Sequence, residues 1–430
     1  MKQAPPLRFH AAPAETGGSI SPWHLAPPPA ASLRAIVIIP AKNEATSIPA
    51  ALAALAAQVD MQDQLLPNGW FEVLVLANNC RDRTAQVARA CAAQYPGLVV
   101  HVAEVTLSAA DAHIGKARRL LMDEACQRLE RIGRAGAFIA STDADTRVSP
   151  TWLSAIATEL AQGADAVGGR ILTYDADSRN PLRRHQLRDA AYYLLRARLE
   201  QLLDPIAHDP WPRHHQHFGA SLALTAAAYR RVGGLPVVPY LEDEALYQAL
   251  LRHDQRLRHS PAVQVFTSSR RQGRVPVGLS WQLRQWAAQQ AVRQEPTVDN
   301  PVRLMAEWRL RAHLRHLWHC HAGEQLLNEN IGLMAPEGVG ASCLQQEMAR
   351  SATFGQFWEK MRTRFLYHAL RRWPPVPLSV ALLQLRQELA CRERSSRKLV
   401  NITPGLSGAD LASFQQIETI GGVPLPVQVT

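Results

Sequence analysis

Cysteine is scarce and scattered in this chain. Six occur in 430 residues, at Cys80, Cys91, Cys126, Cys320, Cys343 and Cys391, and no two stand in C-x-x-C spacing. That argues against a disulfide scaffold and fits reduced thiols. No apolar run approaches the roughly 18 residues of a membrane span. No basic stretch followed by an apolar one opens the chain, so no secretory signal is expected. Aromatic residues make up only 6% and are not interleaved with basic ones, and no Lys/Arg run has the density of a nucleic-acid tail. Specific nucleic-acid recognition is therefore not expected. The first strand runs into PAKNEATS, not a Gly-rich phosphate loop, which counts against a nucleotidyltransferase. These absences predict a cytoplasmic protein, with attachment at the inner face of the membrane as its furthest extension.

Hydrophobic residues make up 47% and charged residues 20%, with a formal net charge of +10. Such a chain builds a sizeable core and favours anionic partners, a phosphorylated substrate or a membrane surface among them. Composition divides it into a Pro/Ala-rich arm over 1–32, an α/β domain over 33–280, a mainly helical accessory region over 281–395 and a tail over 396–430. From Leu33 short β-branched runs alternate with helical patterns: LRAIVIIPA, EATSIPAALAALAAQ, FEVLVLANN, AQVARACAAQY, LVVHVAEV, GKARRLLMDEACQRL and GAFIASTDAD. This alternation predicts an open, mostly parallel sheet with flanking helices, similar in plan to a Rossmann sheet. A further strand is expected at AVQVFT, 262–267.

Ligands of such sheets bind beyond the carboxyl ends of the strands. Asp143 and Asp145 stand there, in STDADT. Two carboxylates at that place hold a divalent cation that also takes diphosphate oxygens, or else Asp145 caps the following helix. Glu242, Asp243 and Glu244 open a helix, where three acids either complement the helix dipole or supply a general base. Lys116, with Arg118 and Arg119, is either solvated charge or a contact to a diphosphate. Arg270, Arg271 and Arg274 form a basic loop after the last strand, suited to closing over a diphosphate. His214, His215 and His217 suit a substrate-lining loop better than a zinc site, and His259 is a further candidate metal ligand.

The order of these motifs resembles that of the family 2 glycosyltransferases, from about Arg34 to Gly278. The P-x-x-N-E turn is matched by Pro40, Asn43 and Glu44, and the polar turn after the second strand by Asp82 and Thr84. The Gly-Lys element is matched by Gly115 and Lys116, D-x-D by Asp143 and Asp145, R-x-x-G-G by Arg230, Gly233 and Gly234, and E-D by Glu242 and Asp243. The resemblance implies a GT-A fold and an inverting, metal-dependent enzyme using Mn2+ or Mg2+. Its donor would be a nucleotide-diphosphate sugar, a UDP-sugar before a GDP-sugar. Pro40, Ala41, Glu44 and Asn78 would line the base and ribose pocket, although many members carry Asp where Asn78 stands. Asp143 would contact ribose or the cation, Asp145 would be the principal metal ligand, and Lys116, Arg271 and Arg274 would face the diphosphate. Asp243 would be the general base and Glu242 would help to place the acceptor, which is unnamed and either anionic or membrane-bound. QLRQW replaces the Q-x-x-R-W of processive synthases, so transfer of a single sugar is expected. The main alternative is a catalytically inactive member of the same fold that binds a sugar or a partner.

Overall fold

The computed structural model describes residues 23, 28–174, 182–268, 278–320 and 341–400. Arg270, Arg271 and Arg274 lie outside the described residues, as does most of the expected arm and tail.

The first half alternates strand and helix. It runs β1 (Ala35–Ala41), α1 (Ile48–Ala56), β2 (Phe71–Asn78), α2 (Thr84–Ala92), β3 (Val99–Val105), α3 (Ile114–Glu130), β4 (Phe138–Ser141), β5 (Thr146–Val148), α4 (Trp152–Ala161) and β6 (Ala166–Thr173). After α5 (Arg183–Leu203) come β7 (Leu222–Thr225), α6 (Ala226–Arg231), α7 (Glu242–Arg252) and β8 (Leu257–Thr267). The eight strands form one sheet in the order β3-β2-β1-β4-β7-β6-β8-β5. Pairings β1–β2, β1–β4, β2–β3 and β6–β8 are parallel, while β7 runs antiparallel to both its neighbours and β5 antiparallel to β8. The last long strand begins five residues before the expected AVQVFT, because Leu257–Ser260 pair in register with β6 before a bulge at Gly169/Arg170.

Every residue of β1 and β2 is buried, as expected for central strands covered on both faces. The two-residue period divides them. Val37, Ile39, Val73 and Val75 pack with Ile48, Leu52 and Trp152, and Ile36, Ile38, Leu74 and Leu76 pack with Leu121, Met122 and Leu246 on the other side.

The second half is helical: α8 (Leu279–Ala291), α9 (Pro301–His319), and the helices Ala341–Ala349, Phe354–Arg372 and Leu378–Val400. With α5, two of them enclose a separate core of Tyr192, Leu199, Leu304, Trp308, Leu382 and Leu385. A buried ion network ties this layer to the sheet. Glu200 accepts from Arg213 and Arg311, each at 2.7 Å. Asp204 is held by Arg311 and Arg315. Asp209 accepts from Arg213 at 2.7 Å, Arg258 at 3.1 Å and the His259 ring at 2.8 Å. A second joint lies at the end of α7. Both carboxylate oxygens of Asp254 accept N–H groups at the start of helix Phe354–Arg372, from Phe354 at 2.8 Å and Gly355 at 2.7 Å. A Cβ on Gly355 would stand 1.9 Å from the Leu251 carbonyl oxygen.

Gly355→Ala should therefore cost about 1–3 kcal/mol, the range for overpacking, read as a lower midpoint in urea unfolding; an unchanged midpoint would refute the tight joint. The network carries a pH signature as well. Burial would raise the Glu200 pKa, but Arg311, Arg213 and Arg196 pull it from the ordinary 4.5 down to about 2. A depressed folded-state pKa means stabilisation that is whole above pH 4.5 and fades as pH falls towards 2. The melting temperature should drop across that window, and the drop should be shallower in Glu200→Gln.

Candidate active site

β1 to β4 deliver their carboxyl ends to one edge of the sheet, and antiparallel β7 begins at that same edge, where Leu222 pairs with Ser141. The turn Gly219–Ser221 that precedes β7 thus lies beside the residues that follow β4. Ser141 Oγ donates to the Gly219 carbonyl at 2.8 Å, and the buried Trp152 indole N–H donates to Ser221 Oγ at 3.0 Å. The first turn of α7 supplies the third wall.

Arg118 stands at the centre. It lies two positions into α3 from Lys116 and is only 3% exposed. Its Nη2 donates to Asp143 Oδ1 at 2.9 Å, and its Nε stands 3.4 Å from Glu242 Oε1. Its Nη1 meets no acceptor among the described residues. The guanidinium lies against Gly219, where an added Cβ would come within 1.4 Å of Nη1; any side chain there would displace the cation. The Gly219 N–H in turn donates to Asp243 Oδ2 at 2.8 Å, while Asp243 Oδ1 accepts the Glu244 N–H at 2.9 Å. One cation and one glycine thus gather Asp143, Glu242 and Asp243 from segments a hundred residues apart.

Crowding shows in the proton affinities. Burial raises the Asp143 pKa; Arg118 opposes the rise, and Asp243 and Glu44 add to it. Its side chain still keeps 36% of its surface open. Burial also pushes Glu242 up to about 7 against the pull of Arg118, with Asp243 and Asp143 contributing repulsion. A group of carboxylates so arranged is short of positive charge.

The remaining candidates fall around this cluster. Pro40 and Ala41 end β1 and are buried, as are Glu44 and Asn78. The P-x-x-N-E turn is bolted to the turn after β2. Asn43, at φ 57°, accepts the Arg81 N–H at 2.7 Å, Thr84 Oγ1 accepts the Glu44 N–H at 2.9 Å, and Asp82 accepts the Ala45 N–H at 3.1 Å. Burial would raise the Asp82 pKa, yet its bonds from Thr84 and Ala45 hold it below the usual range. Asp82 and Thr84 are thus joints of the turn. Asp145 follows in the loop after β4, and its carbonyl accepts from Tyr174 at 3.3 Å. The Lys116 backbone N–H meets the capping ring of His113, and its side chain lines a cleft of about 3110 Å³ that also borders Phe218, Glu244 and Trp308. Arg119 is committed to Asp123 and to the carbonyls of Gly233 and Leu235.

His217 contacts the Glu244 carboxylate at 2.8 Å and stacks on Tyr247 at 3.7 Å. His259 is buried against Asp209, away from the acidic cluster's bonds. Among the described residues no group of three or more His, Cys, Asp or Glu is close enough to cage a metal by itself. Arg118 was expected, with Lys116 and Arg119, as solvated charge or a diphosphate contact; it is instead buried against Asp143 and Glu242, and Gly219 was not singled out. A signal for Arg118 exists: it shares the helical stripe of Leu121, Met122 and Ala125, all buried, and a lone arginine on an apolar stripe requires a buried anion.

An open, mostly parallel α/β sheet with a carboxylate cluster at this edge agrees with the fold that the resemblance implied. Residues 36–213 match the family model described as glycosyl transferase family 2. That match covers less than half of the chain, and Glu242 and Asp243 lie beyond it. No curated protein matches the sequence. Solved structures similar to it include the following three. The mannosyltransferase PcManGT from Pyrobaculum calidifontis, in complex with GDP-Man and Mn2+, shares 19% identity over 81% of this chain and 90% of that one, with a TM-score of 0.39. S. aureus TarS 1-349 with UDP-GlcNAc shares 14% over 77% and 92%, at 0.41. The M. tuberculosis glucosyl-3-phosphoglycerate synthase shares 16% over 62% and 84%, at 0.35.

Arg118→Met should leave the buried Glu242 and Asp143 uncompensated and cost about 3–5 kcal/mol in urea unfolding. Arg118→Lys should recover part of that loss. A neutral Arg118→Met would show that the guanidinium does not hold the cluster together.

Proposed function

We propose that this chain transfers one sugar from a nucleotide-diphosphate donor, a UDP-sugar before a GDP-sugar, to an acceptor hydroxyl with inversion at the sugar carbon. The observation that carries the reading is the convergence of Asp143, Glu242 and Asp243 on Arg118 at the carboxyl edge of a family 2 sheet. Pro40, Ala41, Glu44 and Asn78, at the ends of β1 and β2, would line the nucleoside pocket.

Asp243 is suited to be the base. Two backbone N–H groups fix its carboxylate, and each oxygen keeps a further lone pair for a proton. The acceptor hydroxyl gives its proton to Asp243 as its oxygen bonds to the anomeric carbon. The bond from that carbon to the diphosphate breaks, and its electron pair leaves with the diphosphate. Glu242, buried and paired with Arg118, positions the first turn of α7. Lys116 would meet the diphosphate from the start of α3, and Arg271 and Arg274, which follow β8 in the sequence, are the further cations that the family resemblance assigns to it.

The donor set fits a hard divalent cation, Mn2+ or Mg2+. Asp143 is a partly open carboxylate in a site short of positive charge, and Asp145 is two residues on. Such ions take one or two carboxylates and complete their shell with water and substrate phosphates. When bound, the ion would stabilise the charge of the leaving diphosphate.

Purified protein incubated with UDP-, GDP- and dTDP-sugars should release nucleotide from one of them with Mn2+ or Mg2+ and not with EDTA. Asp145→Ala should abolish both release and metal-dependent donor binding. Asp243→Asn should keep donor binding and lower transfer by about 100-fold or more. Absence of both release and metal-dependent binding for every donor would favour the inactive, sugar-binding reading.

A further inference from the structure

From Lys360 to Gln387 the sequence contains no Asp or Glu, yet it carries Lys360, Arg362, Arg364, Arg371, Arg372 and Arg386. The stretch is the end of helix Phe354–Arg372, the turn Trp373–Pro375 and the start of helix Leu378–Val400. Three of the six cations are spent within the fold: Lys360 and Arg364 pair with Glu347, and Arg362 with Glu307. The other three stand exposed. Arg371 lies over the Tyr367 ring at 5.2 Å and Arg372 over the Trp373 ring at 4.8 Å.

Apolar side chains that belong in a core stand out among these cations. Tyr367 is 63% exposed, Leu370 42%, Val380 40% and Leu383 58%. Tyr367, Leu370 and Arg371 share one helical face at i, i+3 and i+4, and Val380 and Leu383 are neighbours on the next helix. Both helices keep an inner face buried, through Phe357, Met361 and Phe365 on one and Leu378, Leu382 and Leu385 on the other. Among the described residues the exposed set lies outside both cores, on two helices joined by residues 373–377.

We infer that this corner docks on an anionic lipid bilayer. Arginine beside exposed Tyr, Trp and Leu, with acids excluded, is the chemistry of an interfacial surface: the apolar side chains enter the headgroup layer while the cations meet lipid phosphates. Cations alone would match any anionic surface; the exposed Tyr367 and Leu370 beside Arg371 are what favour a headgroup layer, which takes apolar side chains beneath its phosphates. Tyr367, Leu370 and Arg371 also line the cleft that reaches Glu244 and Lys116, so a docked chain turns the mouth of that cleft to the lipid surface. The surface stands apart from the transfer chemistry, none of whose residues lies in it.

The test is sedimentation of the full chain with vesicles of phosphatidylcholine alone, or of phosphatidylcholine mixed with phosphatidylglycerol. Binding is expected to the mixed vesicles only, weakening as salt rises. Arg371→Glu with Arg372→Glu should weaken it by about tenfold or more, and Tyr367→Ser with Leu370→Ser by about tenfold. Donor hydrolysis in solution, measured on the same samples, should be unchanged in both pairs, which separates failure of the surface from failure of the enzyme. Equal binding to both vesicles, binding unmoved by either pair of substitutions, or retention on RNA without retention on vesicles would each overturn the inference.

Discussion

The site depends on one buried cation. Arg118 is enclosed by the protein and holds carboxylates that would otherwise repel one another at the sheet edge. Burying a guanidinium is costly, and burying carboxylates beside it is costly again; together the costs offset. The balance is incomplete by design of the geometry: Asp143 and Glu242 both keep proton affinities above the ordinary carboxylate range. A site left short of positive charge favours a further cation, which is the ground on which a divalent ion was proposed there.

The sheet topology explains why residues so far apart in sequence meet. Asp143 follows β4, Gly219 precedes β7, and β7 lies antiparallel beside β4. A parallel β7 would have carried Gly219 to the opposite edge. The α7 acids then reach the same place because Gly219 offers its N–H to Asp243. The antiparallel β7 therefore brings these groups together without disturbing the buried parallel strands β1 and β2.

Much of this was legible in the sequence for physical reasons. The fully buried β1 and β2 wrote themselves as β-branched runs, and the Asn43 turn followed from a residue type that tolerates φ 57°. The acidic motifs were visible as charge at a strand end and a helix start, where capping and the helix dipole accounted for them equally well. What was hidden depends on contacts between distant segments. Lys116 and Arg118 look alike in the string KARR, yet two residues on a helix point to nearly opposite sides. Only the burial of one tells which charge faces the carboxylates. The reach of β8 back to Leu257 was missed because RHSP carries no alternation, its polar groups being matched by Asp209 instead. The helical layer was expected as helices, but its attachment rests on ion pairs among scattered arginines, which leave no periodic trace.

The Asp254–Gly355 joint gives the helix of the site a mechanical character. At its first turn α7 is fastened to Gly219 through Asp243, and beyond its last turn to helix Phe354–Arg372 through Asp254. Eleven residues separate these fastenings along α7, about 16 Å of rigid rod. A rod pinned at both ends transmits displacement without absorbing it. The helical layer and the carboxylates are thus set as one piece: what tilts the outer helices tilts Asp243.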